Sequence, residues 1–152
     1  MEPQIVDRDA FTFLGVLVRG NPMEADYSDI WERQFMPYYD RIAPSSINKA
    51  YYCVYFETGE ENLADIMAAM AVGDVASVPE GLQVRVTPAT RYAVFECTMP
   101  TIGKTWQRIF GDWLPNSQYT HNVSMPSFEY FPPDAEQQGE FPVRIYVPVR
   151  EK

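Results

Sequence analysis

The chain has one histidine, two cysteines and only twelve lysines and arginines against twenty-one acidic residues. A single histidine, His121, cannot supply the clusters that transition-metal sites use. Cys53 and Cys97 lie 44 residues apart with no Cys-x-x-Cys spacing, which disfavours zinc and redox motifs; both read as small core residues. A formal charge of -9 without any Lys/Arg run argues against direct binding to a nucleic-acid backbone. The eight glycines are scattered singly, so no phosphate-cradling loop is present. With no Gly-x-Ser-x-Gly elbow and no cysteine beside the histidine, the usual signals of a hydrolase triad are missing. We expect no cofactor and no metal. The longest uninterrupted apolar run, Ile66 to Val72, is far below the roughly 20 residues of a membrane span. The opening Met-Glu-Pro-Gln lacks a secretory pattern, so a cytoplasmic location and no membrane association are expected.

What is present is an ordinary globular composition with many rings. The 152 residues are 46% hydrophobic and 22% charged, and ten Tyr, nine Phe and three Trp make 14% of the chain aromatic. That length suits one domain with a real core. The halves also repeat. Trp31-Glu32-Arg33-Gln34-Phe35 recurs as Trp106-Gln107-Arg108-Ile109-Phe110, from position 31 to position 106, an offset of 75 residues. At the same offset Tyr55-Phe56 falls on Tyr130-Phe131, and Pro37 and Pro115 each follow a copy of the tryptophan motif. A single domain over residues 1–152, built from internal repeats of about 1–76 and 77–152, is the simplest reading.

Periodicity fills in each repeat. Gln4 to Arg19 reads as a strand or bent strand before the breaker Gly20-Asn21-Pro22. An Asp or Ser within Asp26 to Asp29 caps a helix carrying Ile30, Trp31, Phe35 and Tyr38, which Pro44 stops. Ala50 to Phe56 is a strand. Leu63 to Val72 has helix-forming composition, yet the repeat requires a strand there. In the second half Leu82 to Thr87 and Arg91 to Cys97 are strand-like, a helix runs from Pro100-Thr101 to about Leu114, and Phe128 to Phe131 and Val143 to Val149 are the last strands. The expected fold is therefore α+β, with duplicated β-α-β-β units, antiparallel sheets and one helix per half.

Three segments carry a family resemblance: Trp106-x-x-Ile109-Phe110-x-x-Trp113-Leu114-Pro115-x-Ser117, Pro126-Ser127-Phe128-Glu129-Tyr130 and Ile145-Tyr146-Val147-Pro148-Val149. Together they resemble the GyrI-like small-molecule-binding domain, found as the effector-binding domain of AraC-type and MerR-type regulators and in stand-alone gyrase-inhibitory proteins. The resemblance implies a ligand cleft between two pseudo-symmetric halves, and a glutamate in the penultimate strand that meets lipophilic cations in an aromatic pocket. Glu129 holds that position and Tyr146 holds that of the motif tyrosine. Where several relatives carry an acidic residue two positions before that tyrosine, this chain has Arg144, a side chain able to pair with Glu129 when the site is empty. No DNA-binding domain is expected within the two repeats.

Strand alternation gives the site a residue-level form. Ser127, Glu129 and Phe131 point one way and Phe128 and Tyr130 the other; Arg144, Tyr146 and Pro148 stand opposite the Val143, Ile145, Val147, Val149 face. Subtracting the 75-residue offset places Tyr52, Val54 and Phe56 opposite Glu129's strand. The candidate ligand-binding set is thus Glu129, Tyr146, Tyr52, Phe56, Phe131, Trp106 and Arg144. Trp31 and Trp106 read first as core anchors, and the acidic runs Glu57 to Glu61 and Asp134 to Glu136 as solvated loops. A lone carboxylate among rings suits a flat organic cation or aromatic molecule. Two other functions stay open. One is hydrolysis of strained cyclopropane-containing compounds, with Glu129 activating water and Tyr146 donating a proton. The other is a protein-interaction role toward a regulator or gyrase.

Overall fold

A computed structural model describes residues 2–75, 77–133 and 142–152. The chain forms β1 (Gln4–Arg8), β2 (Phe11–Gly20), a first helical segment (residues 27–45), β3 (Tyr51–Glu57) and β4 (Ala64–Val72). There follow β5 (Gln83–Thr87), β6 (Thr90–Cys97), a second helical segment (residues 99–116), β7 (Tyr119–His121), β8 (Ser127–Phe131) and β9 (Val143–Glu151). Every paired strand is antiparallel, in the order β1-β6-β9-β8-β3-β4-β2-β5 with β7 added beside β9. That order reads the same from both ends when β1, β2, β3 and β4 are exchanged for β5, β6, β8 and β9. The pseudo-two-fold passes between β3 and β8, as the duplicated α+β reading requires. The first half holds one strand more than β-α-β-β, because the segment from Gln4 to Arg19 breaks at Asp9-Ala10 into β1 and β2; the second half matches it with β5 and β6 and adds the short β7. β1 then pairs with β6 of the other half, and β5 with β2.

This exchange shapes the sheet. β1 and β2 stand toward opposite ends of the strand order, yet two residues join them, so the sheet must curl until its ends approach. Rings from strands far apart in the order consequently meet on the concave face: Phe11 and Phe128 at 5.6 Å, and Tyr92 and Phe128 at 5.3 Å. That face buries Phe13, Tyr52, Val54, Met67, Tyr92 and Phe128. The convex face is covered by the helical segments, with Ile30, Phe35 and Ile42 over the first half and Ile109 and Leu114 over the second. β4, covered on both sides, is the strand that the repeat demanded against its alanine-rich composition, because burial overrides propensity there.

Both tryptophan motifs lie on the helical segments. Asp26 caps the first by accepting from the Asp29 backbone N–H at 3.0 Å, and in the second Thr101 Oγ1 accepts from the Thr98 N–H at 3.0 Å. Each segment contains a wide π turn overlapping its motif, over Ile30–Phe35 and Ile109–Trp113. Neither proline ends its helical run. Pro44 and Pro115 sit in the first turn of a following short helix, where the missing N–H has no helical partner to lose. Among the described residues no helix is long and apolar enough to cross a membrane.

Candidate functional site

Glu129 lies at the middle of the sheet, with Cys53 opposite it on β3 and Ile145 opposite it on β9. Ile145 belongs to the core beneath the second helical segment, so the carboxylate points toward the helices and is only 5% exposed. Trp106 Nε1 donates to Oε2 at 2.7 Å, and the Tyr55 hydroxyl donates to Oε1 at 3.2 Å. Tyr55 in turn accepts from the Cys53 thiol at 3.4 Å and lies 3.4 Å from the Tyr27 hydroxyl, which donates to the Pro22 carbonyl at 2.6 Å. Tyr55 meets Trp106 edge-on at 5.8 Å, and Trp106 stacks on Phe110 at 6.0 Å. Across from them Trp31 packs against Tyr51 and Phe131 at 5.9 and 6.4 Å.

The electrostatics follow from these partners. Tyr55 and Trp106 are neutral donors, and among the described residues Glu129 makes no ion pair. Burial pushes its pKa up to about 7, while the bonds from Trp106 and Tyr55 pull it back. Burial pushes Tyr27 up to about 12, and Tyr55 and Cys53 well above their ordinary values, so Glu129 is the group of this cluster that titrates near neutrality. The hydroxyl chain accommodates either state. The carboxylate takes the Tyr55 proton; the neutral acid donates to Tyr55, whose proton then turns to Tyr27.

A stability prediction arises here. Between about pH 4.5 and 7 the folded chain holds the Glu129 proton and the unfolded chain does not. Stability therefore falls as pH rises through that window and levels off above it, by at most about 3 kcal/mol. Urea unfolding at pH 5 and pH 8 measures the slope, and Glu129→Gln is expected to remove that share of it.

The structure brings together Glu129, Trp106 and Phe131 of the sequence candidates. Tyr52, Phe56 and Tyr146 belong to the concave-face cluster instead. Arg144 pairs with Tyr130 across β8 and β9, lies over its ring at 5.6 Å and reaches Glu96 at 3.7 Å; it does not pair with Glu129. The cause is parity. The helix-side residues of β3 (Tyr51, Cys53, Tyr55) and of β8 (Ser127, Glu129, Phe131) are all odd-numbered, so the strands are related by an even offset. The tryptophan motifs are related by 75, and a one-residue slip moves every side chain of a strand to its other face. The Tyr55-Phe56 and Tyr130-Phe131 match therefore equates opposite faces. Tyr146 faces away for a similar reason: it stands opposite Phe128, stacked on it at 4.5 Å, and not beside Glu129. Tyr55, Tyr27 and Cys53 were missed. An even offset would have found Tyr55, whereas no local signal marks Tyr27. The Asp134 to Glu136 run lies outside the described residues.

Surface depressions beneath residues 18–34 and around residues 108–119 do not include Glu129. The carboxylate is 5% exposed and held on one side by Trp106, whose indole N–H donates to it.

Comparisons with known proteins match this architecture. The chain is 29% identical over 159 residues to the transcriptional regulator BrlR of Pseudomonas aeruginosa, covering 98% of this chain and 56% of that protein. The chain spans about half the length of the curated relatives it matches. Its fold is shared with SAV2435, solved bound to tetraphenylphosphonium, at TM-score 0.79 and 17% identity over 99% of this chain and 94% of that one. It is also shared with an integron cassette protein from the mobile metagenome of Vibrio cholerae, at TM-score 0.68 and 20% identity over 99% and 97% of the two chains. The family model of integron-associated effector binding proteins, Cass2, matches residues 4–149, nearly the whole chain, and the chain therefore belongs to the Cass2 effector-binding proteins.

Proposed function

We propose that the chain binds flat lipophilic cations at Glu129, between the two helical segments. The observation that carries this is a carboxylate 5% exposed, held by two neutral donors and walled by rings. A buried carboxylate without a cation is costly, and two of its roughly four acceptor positions remain for a ligand. Ring faces add roughly 0.5 to 2 kcal/mol each toward a desolvated cation. The tetraphenylphosphonium bound by SAV2435 is a ligand of this class. Titrating tetraphenylphosphonium while following tryptophan fluorescence tests the proposal, because Trp106 must move or be stacked upon for the cation to reach the carboxylate. Saturable quenching that persists in Trp31→Phe and vanishes in Trp106→Phe is expected; unchanged fluorescence in a chain that binds the cation would place the ligand elsewhere.

Sensing is the role that best uses such a site, with occupancy reported to a transcription regulator, as the name of BrlR suggests. Hydrolysis by Glu129 with Tyr146 is disfavoured because those side chains occupy opposite faces of the sheet. Incubation with cyclopropane-containing alkylating compounds, followed by mass, is expected to show no turnover. Multiple turnovers lost in both Glu129→Gln and Tyr55→Phe would instead make the site a hydrolase built on Tyr55.

A further inference from the structure

The concave face carries a second polar cluster, of opposite character. Arg8, at the end of β1, lays its guanidinium over three rings, 4.3 Å from the centre of Phe11, 5.5 Å from Tyr146 and 5.8 Å from Phe128. Among the described residues it makes no ion pair and no hydrogen bond. Two hydroxyls on the same face lie in residues 0% exposed, Thr87 Oγ1 with no hydrogen-bond partner and Tyr92 Oη with only the nearby Thr90 hydroxyl, at a geometry too poor for a good bond. Both residues adjoin the rings beneath Arg8. Tyr92 packs its ring on Phe128 and Tyr146, two of the rings beneath the guanidinium. Thr87 stands opposite Phe11, the third, across β5 and β2. The Thr90 hydroxyl donates to the Pro88 carbonyl at 2.9 Å and keeps lone pairs toward Tyr92, so Thr87 is the hydroxyl left fully unmatched.

The chemistry of this set is one-sided. A guanidinium has five N–H donors and no acceptor, and an unpaired buried hydroxyl costs free energy until something accepts its proton. The strand carboxylates on this face are taken elsewhere, Asp65 by Arg19 at 2.7 Å and Glu96 by Arg144 at 3.7 Å. Arg8, Phe11 and Tyr146 are half-buried, so the guanidinium end of the cluster lies at the rim of the concave face and the two hydroxyls lie beneath it.

We infer that Arg8, Tyr92 and Thr87 form a second ligand site, on the sheet face opposite Glu129, that takes a small planar carboxylate. The guanidinium fork meets the two carboxylate oxygens, the hydroxyls complete their hydrogen bonds, and an aryl group on the ligand lies against Phe11 and Tyr146. This site is independent of the cation reading, since no residue is shared between the two.

The test is calorimetric titration of the whole chain with benzoate, using benzyl alcohol as the uncharged control and inorganic phosphate as a bare anion. Saturable benzoate binding is expected, with no binding of benzyl alcohol. Arg8→Gln should lose at least about tenfold in affinity, Arg8→Lys should recover part of it without the fork, and Tyr92→Phe should lose about threefold or more. Glu129→Gln should leave benzoate binding unchanged, which separates a failure here from a failure of the cation site. Absence of saturable benzoate binding to the folded wild type, affinity untouched by Arg8→Gln, or competition by phosphate as effective as benzoate itself would each overturn the assignment.

Discussion

Glutamine at position 129 is expected to weaken tetraphenylphosphonium binding by at least about tenfold, with little loss for an uncharged aromatic ligand of similar size. The substitution keeps the volume and one acceptor while removing the charge. A charge-assisted contact is worth roughly 1.5 to 3 kcal/mol more than none, or about 10-fold to 150-fold in affinity. The effect should sit at the upper end because Glu129 is 5% exposed and has no competing cation within the described residues. Arg144→Glu should leave cation affinity within about twofold, since its guanidinium is on the other face and exposed to solvent, where a charge is worth little at this range. Equilibrium dialysis of the two ligands against wild type and both variants measures all of this. Equal affinity of wild type and Glu129→Gln for the cation would remove the counter-ion role.

The second large effect concerns the fold. Gly15 lies in the interior of β2, flanked by β4 and β5, and a Cβ there would run into the Ala68 carbonyl oxygen and stand 2.7 Å from the Ala69 Cα. The obstruction is main chain on the neighbouring strand, so no rotamer change relieves it. Gly15→Ala must push β2 and β4 apart where the sheet curls, the situation in which a strand glycine marks close backbone approach. A loss of about 3 kcal/mol or more is expected, which for a chain of this size lowers Tm by roughly 6 to 12 °C. Gly15→Val should prevent folding to a soluble product. Gly103 has open space around a Cβ, and Gly103→Ala in the second helical segment serves as the control, with stability unchanged or raised by about 0.5 to 1 kcal/mol. Thermal melts of the alanine variants compare them directly; a Gly15→Ala melt matching wild type would show that the strands separate at no cost.

The legible and illegible parts of this molecule divide along physical lines. β3 is a run of aromatic and β-branched residues, the Val143, Ile145, Val147, Val149 face of β9 repeats every second residue, and the tryptophan motifs recur, so the element order and the duplication could be read from residue spacing. The strand nature of Ala64–Val72 was readable only through the repeat, because alanine and methionine favour a helix until both faces of the segment are covered. Glu129 and Trp106 were found by motif, and they touch. What could not be read is which face each strand turns to its neighbour. That depends on a single residue gained or lost between helix and strand, to which a repeat measured on the helices is blind. The same parity placed Tyr52 and Phe56 beside Glu129 on paper and across the sheet from it in the fold, and hid Tyr55. The curl was equally invisible, since pairing of β1 with β6 and β5 with β2 is a non-local choice that leaves no mark on the strands themselves.

The central claim is that Glu129 is protonated in the empty site and becomes the ionised partner of a bound cation. Titration calorimetry of tetraphenylphosphonium at pH 6, repeated in buffers of different ionisation enthalpy, counts the protons exchanged on binding. With the carboxyl pushed up to about 7 in the empty protein, most of one proton should be released per cation bound, and the release should disappear in Glu129→Gln and fall toward zero by about pH 9. Binding with no proton released at pH 6 would contradict the account, because it would mean that the cation is held without calling on the buried carboxylate.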